Sequence, residues 1–415
     1  MKLPSVLQRL PVRILSAGAI VCLFMSVSCS MLQYKPTRLE KETGLFYTDQ
    51  IEMAGEQANR AFGSLNGSFP THATGGTWVD DDQFFWASGY YPGLLWLLYE
   101  GIGDTTAVNL AATWMPGLEP LKEKPDQAGL GMVFFPSYVR AYKITGNKYY
   151  RQVALDAAEQ LDSRFAPAGF FPAWGEAGDM VLGRRLAIES LMDLDLLYWA
   201  SEASGNTEFA RHASNHATFV IARLIDGDGR ILHLADFDPT TGAIYGDRTP
   251  ELAGNEKYST KGYKASSVWA QGQAWAIYGL TSAYAHEQNT LFLNAALRAA
   301  DYFVANLPED GVPVWDFELP AGADRQKDTA AAAVAAAGLL KLAQMTPTPS
   351  DRVRYRDVAY KIISTLSGAY LTKGGHGILT DAVYGKQSGK GMAGSTSWAD
   401  YYYIESLLLL RDIGA

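Results

Sequence analysis

The sequence predicts an all-α fold, a closed α6/α6 barrel made of six helical hairpins with a small β-hairpin insertion. Three observations support this prediction: long amphipathic segments, short Gly, Pro or Asn turns between them, and aromatic motifs that recur along the whole chain. The amphipathic segments cover approximately 48–63, 84–101, 104–115, 131–145, 147–163, 184–204, 207–224, 266–286, 290–306, 327–345, 351–366 and 396–412.

An internal repeat supports pairing these segments into hairpins. Gly146-Asn147 and Gly205-Asn206 each join an apolar segment to an Ala-rich one, and the two glycines are 205 − 146 = 59 residues apart. Repeated hairpins bury their faces against neighbours in an open solenoid or in a closed ring. Aromatic segments along the entire chain favour the closed ring, with the functional site at one end of its inner helices. Strand signals at 229–234 and 243–245 predict a hairpin that covers this end.

Composition limits the function. The chain has 415 residues, of which 48% are hydrophobic, so it can bury a large core. Its formal charge is −9, from 35 Lys and Arg against 44 Asp and Glu. Because this balance provides no basic stripe to neutralise phosphates, nucleic acid is not expected as a partner.

The N-terminus has the layout of an export signal. Lys2, Arg9 and Arg13 precede an apolar run at 14–27, which ends shortly before Cys29. We therefore expect a signal peptide at 1–28, a linker at 29–45 and one barrel domain at 46–415. Cys29 is a candidate bacterial lipidation site and membrane tether, and the alternative is ordinary secretion. Either way, we expect an exported protein, located in the periplasm or as an outer-membrane lipoprotein.

Aromatic residues suggest a carbohydrate cleft. They make up 12% of the chain, including 10 Trp and 23 Tyr, and several stand beside carboxylates or glycines at hairpin ends. Sugars stack their C–H faces on such rings and direct their hydroxyls to polar groups. Packing of the inner ring is an equally sound explanation for any single tryptophan.

Glu189 is the candidate acid/base. It lies four residues before Asp193 in an otherwise apolar segment, on the same predicted helix face as Leu196 and Leu197. An acidic group on an apolar face is costly without a purpose, and glycoside chemistry needs a carboxyl group of raised pKa. The alternative is a solvated or salt-bridged residue.

Motifs for other chemistries are absent from the sequence. The six histidines form neither HExxH nor a set with cysteines, so no metal site is predicted. No nucleophile elbow, phosphate loop or dinucleotide fingerprint stands in a suitable context, which disfavours serine hydrolases and nucleotide enzymes.

Six motifs carry a family resemblance. They are WASGYYPGLLW at 86–96, FPSYVRAYK at 135–143, WAQGQAWAIYG at 269–279, VPVWDF at 312–317, DTAAA at 328–332 and DYYYIE at 400–405. In this order, from about residue 50 to the C-terminus, the chain resembles the unsaturated glucuronyl hydrolases of glycoside hydrolase family 88. The resemblance implies an α6/α6 barrel, no metal or organic cofactor, and removal of 4,5-unsaturated uronic acid from oligosaccharides that polysaccharide lyases release.

The resemblance also implies residue roles. The family's acid/base aspartate falls on Glu189, which keeps a carboxyl group with one more methylene. Two indoles of the substrate site fall on Trp174 and Trp275, and the histidine of the covering hairpin falls on His233.

Four positions depart from the family pattern. Ala128-Gly129 replaces His-Asp, so the second acid is missing, and Gln271 replaces an arginine. Lys261 replaces a glutamine and is expected, with Gln271, to bind substrate. Either Glu189 works alone with Lys261 holding the uronate, or the site has diverged to another saccharide or reaction. Nearby carboxylates that are candidates for replacing the lost acid are Asp126, Glu176 and Asp179.

The leading prediction is therefore a glycoside hydrolase that acts on unsaturated uronic-acid oligosaccharides by hydrating the enol ether. One alternative is a polysaccharide lyase on the same barrel. The other is a non-catalytic saccharide-binding lipoprotein, in keeping with the replaced site residues.

Overall fold

Thirteen helices make up most of the part of the chain that the structure describes. The structure is a computed structural model and describes residues 38–65, 68–79, 85–176, 178–245, 261–386 and 389–413. Its helices are α1 (Arg38–Leu65), α2 (Tyr90–Ile102), α3 (Thr105–Trp114), α4 (Leu130–Phe134), α5 (Arg140–Thr145), α6 (Lys148–Asp162), α7 (Leu194–Ser204), α8 (Thr207–Leu224), α9 (Ala270–Glu287), α10 (Thr290–Ala305), α11 (Thr329–Met345), α12 (Pro349–Ala369) and α13 (Ser397–Ile413).

Inner and outer helices alternate along the chain. The inner ring consists of α2, α4 with α5, α7, α9, α11 and α13, and the remaining six helices surround it. Each inner helix packs against the next, and α13 packs against α2, so the last inner helix meets the first. The predicted closed ring of six hairpins is confirmed.

Paired capping residues make the hairpin joints. Gly146 ends α5 with φ 68° and donates its amide to Tyr142, and the Asn147 side chain then accepts the Tyr149 amide at 2.9 Å. Gly205 and Asn206 repeat this arrangement between α7 and α8. A left-handed glycine that ends one helix and an asparagine N-cap that starts the next explain the sequence repeat.

Small side chains fill the centre of the barrel. Every residue from Ala330 to Ala337 is fully buried in α11, which packs against α9, α12 and α13. Because alanine lets neighbouring helices approach closely, the alanine run is a packing feature.

In the described ranges, six short strands form three antiparallel pairs. They are β1 (His72–Thr74) with β2 (Thr77–Val79), β3 (Arg185–Ala187) with β4 (Leu234–Asp236), and β5 (Ala382–Gly385) with β6 (Lys390–Gly394). The predicted hairpin of 229–234 with 243–245 is replaced by the β3–β4 pair and a single bridge between Phe237 and Ile244.

Two predicted helices differ from the structure. The segment 184–204 begins with β3 and a 3-10 turn at Ile188–Asp193, and only α7 is α-helical, because pairing with β4 holds 185–187 extended. A π-helical turn at Phe135–Val139, which contains Pro136, separates α4 from α5.

The N-terminal helix also starts earlier than expected. Helix α1 begins at Arg38, inside the predicted linker 29–45. The predicted signal peptide and Cys29 lie outside the described residues. Among the helices that the structure describes, none is both long and apolar enough to cross a bilayer.

Candidate active site

A cavity of about 870 Å³ opens at the N-terminal ends of the inner helices. Residues near the starts of α2, α4, α7, α9 and α13 reach it, because the ring brings these helix starts together. Its lining residues include Trp86, Gly129, Glu189, Asp193, Gln271 and Trp398. The site is therefore at one end of the inner ring, as the sequence predicts.

Indole rings form much of the cavity wall. Five of the ten tryptophans line it: Trp86, Trp174, Trp269, Trp275 and Trp398. The Trp86 and Trp398 ring centroids are 4.9 Å apart, and the Arg185 guanidinium lies over the half-buried Trp174 at 5.9 Å. Such walls match the apolar faces of sugar rings.

Glu189 lies on the 3-10 turn between β3 and α7. Because β3 pairs with β4, this pairing fixes where the turn begins. Its carboxyl group lines the cavity, and Oε2 is buried without a hydrogen-bond partner among the residues that the structure describes. Burial raises the pKa of Glu189 above its ordinary value, and the positive charge of Lys261 partly opposes this. A carboxyl group of raised pKa with an unbonded oxygen is suited to proton transfer.

His233 supports Lys261 from behind. The histidine is fully buried, and its Nε2 accepts hydrogen bonds from the amides of Lys261 at 3.1 Å and Gly262 at 3.4 Å. Burial, together with the charge of Lys261, lowers the pKa of His233 to about 3, so Nε2 keeps its lone pair. His233 is not among the described residues that line the cavity, where the substrate contact was expected. Its ring instead binds the backbone amides of Lys261 and Gly262.

Gln271 lines the cavity, but its amide is engaged in the protein. Its Nε2 donates to Asp328 Oδ2 at 3.0 Å and to the Val383 carbonyl, and its Oε1 accepts from Trp398 Nε1 at 3.2 Å. Gln271 thus holds the Trp398 indole and the β5 strand in place. The family's arginine is replaced by a residue that organises the wall.

Gly129 stands where the family pattern has the second acid, and the structure leaves no room there for a side chain. The residue has φ 75°, and a Cβ atom there would lie 2.7 Å from Trp86 Cβ. A side chain at this position is therefore opposed both by the left-handed backbone and by the Trp86 contact.

Asp193 is a buried carboxylate of the site that sequence analysis did not select. Its Oδ1 accepts from the amides of Gly131 at 2.8 Å and Met132 at 3.4 Å, at the start of α4. Burial raises its pKa to about 6, although these hydrogen bonds oppose the shift. Asp193 therefore stabilises the start of α4 at the cavity floor.

The three candidate replacement carboxylates all line the cavity. Asp126 and Glu176 are exposed, whereas Asp179 Oδ1 accepts from the amides of Val181 at 2.8 Å and Leu182 at 2.9 Å. Asp126 lies on one loop beside the opening, far from Glu189 along the chain. Glu176 and Asp179 lie on a second loop. Asp179 is occupied in closing its own loop.

Arg164 connects these two loops. It is almost fully buried and donates to the carbonyls of Gln127 at 2.9 Å, Pro172 at 3.1 Å and Gly175 at 2.8 Å. Its hydrogen bonds thus join both loops and fix one side of the opening, and its charge also acts on the nearby Asp193 and Asp126.

Sequence analysis missed several wall residues: Trp86, Trp269, Asp193, Tyr384 and Trp398. Most of them stand at the starts of inner helices, and two of the family motifs contain one of these tryptophans. The position of a residue at the start of an inner helix was the signal that could have identified them.

Comparison with known proteins identifies the family. The sequence profile of Glycosyl Hydrolase Family 88 matches residues 58–409. This chain belongs to glycosyl hydrolase family 88. The predicted resemblance is thereby confirmed, and so is the prediction of a glycoside hydrolase.

Relatives of this family 88 chain include two named hydrolases. The unsaturated glucuronyl hydrolase of Bacillus sp. (strain GL1) is 35% identical over 83% of this chain and 91% of that protein. The unsaturated chondroitin disaccharide hydrolase of Streptococcus pyogenes serotype M1 is 30% identical over 90% and 94%, respectively.

Solved structures of the family have the same fold. The Bacillus unsaturated glucuronyl hydrolase superposes with a TM-score of 0.80 at 30% identity, covering 89% of this chain and 96% of that one. A Streptococcus agalactiae variant complexed with dGlcA-GalNAc6S gives 0.75 at 26% identity, covering 89% and 92%. These similarities favour neither the lyase nor the binding-protein alternative.

We predict that His233→Leu will raise KM roughly tenfold and change kcat less, because two amides lose their acceptor and the Lys261 turn moves. His233→Gln, which can present an amide oxygen, should recover part of the loss. Steady-state kinetics on an oligosaccharide that the wild type hydrolyses will measure this. An unchanged KM in a folded His233→Leu variant would show that the histidine does not position Lys261.

Proposed function

We propose that this family 88 chain removes a 4,5-unsaturated uronic acid from the non-reducing end of oligosaccharides by hydrating its enol ether. One observation carries the proposal: the Glu189 carboxyl group, with an unbonded buried oxygen among the described residues, lies beside Lys261 in an indole-walled cavity. The names of the relatives support the substrate class, since they are unsaturated glucuronyl and chondroitin disaccharide hydrolases.

Glu189 alone can supply both proton transfers. Protonated Glu189 donates its proton to C4 of the unsaturated ring, which leaves positive charge at C5. The resulting carboxylate then takes a proton from water as the water oxygen bonds to C5. The product is a hemiketal, whose collapse opens the ring and releases the remaining oligosaccharide. Burial supports the first step because it keeps the acid protonated at higher pH.

Lys261 and the helix ends are suited to hold the uronate carboxylate. Lys261 provides a point charge, and the N-terminal residues of α9 and α13 reach the same cavity. Helix N-termini carry partial positive charge, which favours a bound anion. This combination replaces the bidentate arginine that the family pattern has at position 271.

We predict that Glu189→Gln will lower kcat roughly 10²–10⁴-fold, the usual effect of removing a general acid. Glu189→Asp restores the family's own residue type and should retain much more activity. The assay follows loss of ultraviolet absorbance from the conjugated enol ether in lyase-derived disaccharides. Wild-type turnover by Glu189→Gln would exclude the proposed role, and circular dichroism controls for folding.

We predict that Lys261→Met will move the alkaline limb of the kcat/KM profile to higher pH. The acid form of Glu189 is the active one, so the rate falls as pH rises through its pKa. The charge of Lys261 lowers that pKa, and removing the charge therefore raises it. KM should also rise roughly tenfold or more because the uronate loses a charged partner. Lys261→Arg keeps the charge and serves as the control; a limb that stays in place or moves to lower pH contradicts the prediction.

We also propose that the chain is exported with a signal peptide at 1–28 and tethered to a membrane through lipidated Cys29. The basic N-terminus, the apolar run and the position of Cys29 support this proposal. In a bacterium that expresses the full chain, we expect the wild type in the membrane fraction and Cys29→Ser in the periplasmic soluble fraction. Equal fractionation of both proteins, or no incorporation of labelled fatty acid by the wild type, would contradict the tether.

A further inference from the structure

Acidic side chains outnumber basic ones in the part of the cavity wall that the structure describes. Five carboxylates and two lysines line it: Asp126, Glu176, Asp179, Glu189 and Asp193 against Lys124 and Lys261. Two of these carboxylates have partners deep in the site, since Glu189 interacts with Lys261 and Asp193 binds the amides at the start of α4. The other three, which we call the rim carboxylates, are Asp126, Glu176 and Asp179.

The rim carboxylates flank the path of the leaving sugars. Asp126 and Glu176 are exposed, so they lie where the cavity meets solvent. The terminal uronate has to reach Glu189 and Lys261, and the rest of the oligosaccharide therefore extends toward the opening. The sugar next to the uronate thus passes beside negative charge.

The guanidinium groups behind this part of the wall are already bound to the protein. Arg164 donates to the carbonyls of Gln127, Pro172 and Gly175. Arg185 forms a two-point ion pair with Asp236, at 2.7 Å and 3.0 Å, and its side chain is 7% exposed. Arginine is the side chain best suited to bind sulfate-like oxyanions, and both of these are occupied.

We propose that this cavity selects oligosaccharides whose sugar next to the uronate is uncharged, and that it discriminates against sulfated ones. The proposal rests on the function proposed above. A sulfate ester placed between the rim carboxylates would bring like charges together in a partly desolvated cleft, which is strongly unfavourable. The relative that was solved with dGlcA-GalNAc6S holds a sulfated sugar, so this chain would differ from it in specificity.

The test compares two unsaturated disaccharides that differ by one sulfate, dGlcA-GalNAc and dGlcA-GalNAc6S. We expect kcat/KM of the wild type to be roughly tenfold or more higher for the unsulfated disaccharide at low ionic strength. The ratio should fall toward one as salt is added, because salt screens exposed charges. Calorimetry with the Glu189→Gln variant should show the same preference in Kd, without interference from turnover.

A pair of charge-neutralising variants locates the effect. The double variant Asp126→Asn/Glu176→Gln should lower the discrimination ratio roughly two- to fivefold, mainly by improving kcat/KM for the sulfated disaccharide. Glu123→Gln/Asp228→Asn removes the same net charge at exposed residues that do not line the cavity, and it should leave the ratio unchanged.

The outcomes separate this inference from the proposed function. Hydrolysis of both disaccharides with equal efficiency, or faster hydrolysis of the sulfated one, overturns the specificity proposal while the proposed function stands. An unchanged ratio in Asp126→Asn/Glu176→Gln also overturns it. Hydrolysis of neither disaccharide, or of any other unsaturated uronate disaccharide, overturns both.

Discussion

The inner ring depends on hydrogen-bond acceptors for the first backbone amides of its helices, at the end of the barrel where these helices converge. The first turn of a helix leaves N–H groups without partners, and six such starts meet at one end of this barrel. Three buried aspartates accept from these amides or from the loops that cover them. Asp193 binds the start of α4, Asp328 binds Ala330, Ala331 and Val383, and Asp400 binds the amides of Ile378 and Leu379. These carboxylates hold the end of the barrel closed around its cavity.

The hydrogen bonds to these backbone amides distinguish aspartates that stabilise the fold from the carboxyl group that is free to act as an acid. Burial raises the pKa of Asp193 and Asp328 to about 6 and of Asp400 to about 7, yet each has backbone donors that fix it. Glu189 is only half-buried as a residue, but its Oε2 is inaccessible and accepts no hydrogen bond in the described structure. A raised pKa alone therefore does not distinguish a general acid at this end of the barrel, whereas an unbonded carboxyl oxygen on a residue that lines the cavity does.

The sequence predicts the features that follow from local patterns. Helix periodicity and the Gly-Asn joints predict the hairpins, and an acid in an apolar segment predicts Glu189 as the candidate acid, which the structure places at the cavity. Features that depend on tertiary contacts could not be predicted from local patterns. One is the β3–β4 pair, which interrupts the predicted helix at 184–204. The other is the set of hydrogen bonds from Gln271 to Asp328 and from Trp398 to Gln271. The family pattern alone also placed His233 at the substrate, whereas only the folded chain shows its ring bound to the backbone of Lys261.

Gly129 has a consequence for how this site can change during evolution. Its left-handed backbone and the nearby Trp86 Cβ leave no room for the aspartate that the family pattern has there. Regaining that acid would require Trp86 to shrink or shift in the same step, and Trp86 also packs against Trp398. The intermediate with either change alone would carry a steric clash or a damaged wall. An acidic side chain at position 129 therefore depends on the residue at position 86, and the two positions can change only together.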